Sequence, residues 1–221
     1  MRSKFDEQLR QLNGEMTRMG TMIETAIQDT IDAFFSRNVE KARQIMADDE
    51  LVDREQKEIE TICFQLLIRQ QPVARDLRTI TAAMKMVTDM ERIGDHAADI
   101  AELTVMLADS PKLREAEHIR KMAAEAVVML LQAVEAYVER DMDKARAVIA
   151  HDDVVDALFV TVKAELIEMM RCDAAYAEYA ADLLMVSKYL ERIGDHATNI
   201  AEWVIFSLDD RTGGEGVHNG H

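Results

Sequence analysis

ERIGDHAADIAE at residues 91–102 returns as ERIGDHATNIAE at 191–202, with ten of twelve positions the same. A packing requirement could be met by many apolar combinations. It would not need the same acid, base and glycine twice. On a helical wheel at about 100° per residue, Ile93, Ala97 and Ile100 fall on one arc with Met86 and Met90. Glu91, Asp95, Asp99 and Glu102 fall on a second arc of roughly 80°. The segment therefore reads as an amphipathic helix whose polar face carries chemistry as well as solubility.

Working outward, the duplication grows. RNVEKARQIMADDELVD at 37–53 resembles RDMDKARAVIAHDDVVD at 140–156, at an offset of 103 where the first pair is offset by 100. The chain is two copies of one unit. Apolar residues recur at helical spacing in six stretches, 4–36, 39–69, 74–108, 113–139, 142–171 and 175–208. In the first, Leu9, Leu12, Met16, Met19, Ile23, Ile27, Ile31 and Phe34 mark one stripe. Asn38, Asp141 and Asp173 are good helix-capping types, and Pro72 and Pro111 stand where a helix entry tolerates proline. Short turns between long helices make antiparallel neighbours. The predicted fold is all-α: two tandem antiparallel three-helix bundles, residues 1–110 and 111–208, followed by a flexible tail at 209–221.

Composition agrees. Of 221 residues 48% are hydrophobic, enough for a core, and only two are proline. Four of the eight glycines lie in the last stretch, 213–220. A net charge of −16 disfavours nucleic acid and free phosphate as direct ligands unless bound metal ions supply positive charge. MRSKFDEQLRQ shows no apolar export signal, and no stretch approaches the ~18 apolar residues of a membrane span, so a cytoplasmic protein is expected. Cys63 and Cys172 form no motif and read as reduced core cysteines. No glycine-rich phosphate loop, nucleophile–base pair or cofactor fingerprint is present.

The second helix of each unit also carries acids beside its apolar stripe: Asp49, Glu50 and Asp53, then Asp152, Asp153 and Asp156. Antiparallel pairing would bring them alongside Glu91, Asp95 and Asp99 in one unit, and Glu191 and Asp195 in the other. Carboxylates so crowded repel one another unless a multivalent cation compensates. Their hard oxygens suit Mg, Ca, Mn or Fe, and His96 or His196 would add a nitrogen. The plainer alternative is a solvated acidic face, with Arg92 and Arg192 pairing to Asp95 and Asp195 one helical turn away. Gly94 and Gly194 each cost a helix about 1 kcal/mol relative to Ala, which points to close approach of a neighbouring helix.

The paired units, each ending in ERIGDH and the first preceded by QPVARDLRTITAAMKMVTDM at 71–90, resemble the PhoU family to about residue 208. The resemblance implies a non-enzymatic cytoplasmic regulator that works with the phosphate ABC transporter and the membrane sensor histidine kinase to hold off the phosphate-starvation response. Broad helical faces on such a regulator suggest a homodimer. It also implies multinuclear metal clusters, iron foremost with Zn, Mn, Mg or Ca as alternatives. Carried over, the first would use Glu91, Asp95 and Asp99 with Asp49, Glu50 and Asp53; the second Glu191 and Asp195 with Asp152, Asp153 and Asp156. Asn199 stands where the first unit has Asp99, which predicts a weaker second site. The competing readings are a structural helical scaffold, an accessory subunit of another phosphate transporter, and a di-metal carboxylate enzyme. The last usually takes Glu-x-x-His pairs pointing into a bundle; in ERIGDH the His instead follows Asp directly, at i+5 from the Glu, and the acids flank the apolar stripe.

Overall fold

The twin segments RNVEKAR and RDMDKAR make the same turn. Arg37 and Arg140 both take left-handed backbone, φ 57° and 59°, ending one helix as a C′ residue does. Behind each, the next amide reaches back to a carbonyl five residues earlier: Asn38 N–H to Ala33 O at 2.9 Å, and Asp141 N–H to Ala136 O at 2.9 Å. The same residues then start the next helix. Asn38 Oδ1 accepts from Lys41 N–H at 3.0 Å, and Asp141 Oδ1 from the Asp143 and Lys144 amides at 2.9 and 3.0 Å.

The computed structural model describes residues 2–70, 72–108 and 117–209. Its helices are α1 (Arg2–Ser36), α2 (Val39–Gln70), α3 (Ala74–Met106), α4 (Glu117–Glu139), α5 (Met142–Cys172) and α6 (Ala177–Leu208), with one 3₁₀ turn at Ala174–Tyr176 before α6. The expected start of helix four at 113, the unit boundary at 110–111 and the tail beyond 209 lie outside the described residues. Asp173 caps the 3₁₀ turn, accepting from Ala175 N–H at 2.9 Å, and α6 starts at Ala177 behind Tyr176, which gives no side-chain cap. Cys63 is buried as expected of a core cysteine, while Cys172 at the end of α5 is exposed.

Each unit packs its three helices against one another, and the units join through α3 against α6 and α1 against α4. The expected stripe forms the core: Leu12, Met16, Met19, Ile23 and Ile27 are at most 1% exposed. One continuous apolar cluster draws on all six helices, from Met16 and Ile59 through Met86 and Met90 to Leu130, Val155 and Leu190. Each such side chain stabilises by about 1.5–3 kcal/mol relative to exposure. The two units are therefore repeats in sequence that share one interior.

α3 and α6 run antiparallel. Arg78 near the start of α3 donates to the Asp209 carbonyl just past the end of α6, while His96 and His196 meet mid-helix with ring centroids 5.7 Å apart. α1 and α4 also oppose each other, with Arg120 bonded to Asp32 at 3.2 Å. The repeats are thus related by an internal twofold that crosses α3 and α6 near their glycines. Thr30 of α1 donates to Ala97 O of α3 at 3.2 Å. So α3 turns its apolar arc toward α1 and its His-bearing and acid-bearing arcs away from it.

Candidate metal site

Gly94 and Gly194 let the flanking helices approach. A Cβ on Gly94 would stand 3.1 Å from Val52 Cγ1 and 3.5 Å from Asp49 Oδ1. On Gly194 it would stand 3.3 Å from Asp152 Oδ1 and 3.4 Å from Val155 Cγ1. The missing side chain therefore does two things. It lets α2 and α5 seat against α3 and α6, and it brings one carboxylate of the outer helix up to the ERIGDH segment.

Crowding registers in the ionisation of these acids. Burial first, then Asp95, Asp53, Glu91 and Asp99, push the half-buried Asp49 carboxyl up to about 6. Glu91 is raised by burial and by Asp95 and Asp53, with Arg92 and His196 acting in the opposite sense. Asp152 is raised by burial, Asp156, Asp195 and Asp153, against the nearby Thr198 hydroxyl. Asp195 is raised by burial, Glu191 and Asp156, against Lys188 and His196. Of the expected residues, Asp49, Asp53, Glu91, Asp95 and Asp99 thus form one interacting set, and Asp152, Asp153, Asp156, Glu191 and Asp195 the other. Glu50 is exposed and stands apart, engaged through its backbone carbonyl with Arg54.

The sets are electrostatic neighbours. Among the described residues, no three acidic, imidazole or thiol groups stand close enough to grip one ion with the side chains where they are. Cations of the protein's own are interposed. Arg92 bonds Asp95 at 2.9 Å and lies 3.5 Å from Glu91, and Lys188 pairs with Glu191. The local pairing foreseen for Arg92 is present, while in the second repeat Lys188 takes the place foreseen for Arg192. One cation per set leaves several carboxylates uncompensated, and their mutual repulsion adds to burial in raising the affinity for protons. An all-oxygen, half-exposed, over-acidic donor set fits a hard multivalent cation.

Residues from the facing repeat complete the region. His96 Nδ1 lies 3.2 Å from Asp99 Oδ2 and its ring packs 5.5 Å from Tyr189. Burial holds its imidazole below the usual range; the Asp99 bond works the other way, and the adjacent His196 adds to the lowering. His196 Nδ1 lies 2.8 Å from Asp89 Oδ1, to which Asn199 also donates at 3.2 Å. This accounts for the departure at 199: an Asp there would set a second carboxylate against Asp89. Asp89 and Tyr189 were not legible as site residues, because they matter only once α3 and α6 cross; Lys188, one turn from Glu191 on α6, and Thr198, against Asp152 of α5, were missed although helical spacing sets them beside the acids. The meeting of His96 with His196 had a signal, since residues near a twofold face their own copies.

The family model described as the PhoU domain matches residues 16–104 and 119–204. A Clostridium acetobutylicum protein named phosphate-specific transport system accessory protein PhoU homolog is 39% identical over 208 residues, 94% of this chain and 95% of its own. A Caulobacter vibrioides protein of the same name is 37% identical, over 92% of this chain and 89% of its own. Crystal PhoU from Pseudomonas aeruginosa superposes with a TM-score of 0.86 at 31% identity, covering 92% of this chain and 98% of that one. The phosphate transport system regulatory protein PhoU of Streptococcus pneumoniae does so at 0.83 and 26% identity, covering 97% and 100%. Duplicated three-helix units, both ERIGDH segments and near full-length similarity together establish that the chain belongs to the PhoU family.

Proposed function

We propose that this protein is a non-enzymatic, cation-loaded regulator of phosphate uptake. It contacts the phosphate ABC transporter and a membrane sensor histidine kinase from the cytoplasmic side and keeps the starvation response off when phosphate is plentiful. The relatives are named as accessory or regulatory proteins of phosphate transport, and among the described residues no helix is long and apolar enough to cross a membrane. The observation that carries the cation part is the pair of over-acidic carboxylate sets beside Gly94 and Gly194.

In the first set Asp49, Asp53, Glu91, Asp95 and Asp99 would hold the ions; in the second, Asp152, Asp153, Asp156, Glu191 and Asp195. Iron is the first choice, with Zn, Mn, Mg or Ca as alternatives. When bound, the ions supply positive charge on an acidic surface and cross-link α2 to α3 and α5 to α6. The chain's own part is to keep the glycine contacts tight and to release Arg92 and Lys188 from the carboxylates they now occupy. A homodimer offers the same faces twice.

Replacing Glu91 and Asp95 together with Ala should lower bound metal in the purified protein while its circular dichroism stays helical. Unchanged metal content would remove the site. Deleting the gene should switch on phosphate-starvation reporters in high phosphate, and a silent reporter would remove the regulatory role.

A further inference from the structure

Comparing the two repeats side by side exposes a surface on which they differ. A groove of about 340 Å³ runs along the α1–α2 seam, walled by Met22, Ala26, Ile45 and Leu51, with Asp29, Asp48 and Asp49 on its rim. From Arg18 to Asp29 it follows α1 for about 16 Å, three turns of helix.

In the second repeat the equivalent seam carries bulkier and mutually paired side chains. Met129 stands where the first has Ala26 and is fully buried. Glu125 and His151, where the first has Met22 and Asp48, clasp each other across the helices at 2.8 Å. Thr198 replaces Ala98 at the groove floor. Other lining positions differ as well, Thr25 against Val128 and Asp29 against Gln132, while Asp49, Val52 and Gly94 recur as Asp152, Val155 and Gly194, so the difference lies in the side chains along the seam and not in the fold.

The rim is acidic and its cations are engaged. Arg18 pairs with Glu15 and with the buried Glu55, and Lys41 is held 2.6 Å from Asp29. Asp48 accepts from the neutral Gln44 amide at 2.8 Å. Leu51 in the wall is 43% exposed. An apolar trough with carboxylates along its edge is complementary to a helix that carries aliphatic anchors on one face and Lys or Arg beside them.

We propose that this groove is a docking site for a cationic amphipathic helix of a partner protein. It lies in the first repeat, and Ala26 is the gap that the helix fills. The proposal goes beyond the cation-binding reading and does not need bound metal, so it is tested on chelator-treated protein.

The probe is a fluorescent synthetic peptide of about 14 residues, with Leu at i, i+3, i+4 and i+7 and Lys between. It should bind the wild type, with affinity falling as salt rises. Ala26→Met, which installs the second repeat's residue at unchanged net charge, should weaken binding at least tenfold. Asp48→Asn should weaken it severalfold, and Glu168→Gln, the same charge loss on α5, should not. If Ala26→Met does not fold by circular dichroism, Leu51→Ser at the exposed wall takes its place with the same expected loss. Equal binding by wild type and the groove variant overturns the proposal. So does equal loss from Asp48→Asn and Glu168→Gln, or equal binding of a peptide with every Lys changed to Glu. Self-association of the wild type that Ala26→Met abolishes would identify a second copy as the occupant and overturn it too.

Discussion

Gly14 and Gly94 are both helical glycines, yet their neighbours give them opposite roles. Around Gly14 a new Cβ would meet nothing within 4 Å, so Gly14→Ala should stabilise by about 0.5–1 kcal/mol through helix propensity alone. At Gly94 the same change meets Val52 at 3.1 Å on a packed helix. There, overpacking outweighs propensity, and a net loss of about 1–2 kcal/mol is expected. Urea unfolding of the two variants checks both signs. Asp49 gives a pH dependence. Its carboxyl is raised from 3.8 to about 6, so the folded state holds the proton more tightly than the unfolded chain does. Stability contributed by the protonated form is complete below 3.8 and is lost as pH rises to about 6. Metal-free protein should therefore lose thermal stability across that window, and Asp49→Asn should flatten the curve; an unchanged slope in the variant would assign the effect elsewhere. The acids and the glycine contacts were readable from helical periodicity, because they follow from positions on one helix and its neighbour. The Asp89–His196–Asn199 group was not, because it exists only across the α3–α6 crossing, which no local pattern encodes.

At the scale of an element, the two interhelical turns carry Arg in left-handed backbone where glycine is usual. Relieving that conformation should help, so Arg140→Gly is expected to raise the melting temperature through a gain of about 0.5–1 kcal/mol. Arg37→Gly should gain less, because the Arg37 side chain also bonds the Tyr179 hydroxyl. Differential scanning calorimetry of the pair would show whether the second gain is the smaller. Element boundaries came close to the sequence reading because these turns rest on short-range chemistry: Asn38 and Asp141 cap the helices as their residue type suggests. Asp173 misled by one turn. It caps a 3₁₀ segment, and a single turn of that kind leaves no mark in apolar periodicity.

At the scale of the molecule, the duplication was legible and the shared interior was not. Two repeats of about a hundred residues each suggest separate bundles, but α3 and α1 both bury apolar surface against the other repeat. Unfolding should therefore be a single transition, with calorimetric and van't Hoff enthalpies equal; two resolved steps would show that each repeat stands by itself. Sequence periodicity states which face of a helix is apolar but not how many partners divide it, and that number decides whether duplicated units are neighbours or halves. The internal twofold through α3 and α6 has a consequence for stoichiometry. A chain that carries its own dyad can sit astride the dyad of a symmetric two-subunit machine, one copy spanning both subunits with like surfaces toward each. The open trough beside Ala26, where the other half carries a buried Met129 and the Glu125–His151 pair, would then tell left from right and leave such an assembly handed.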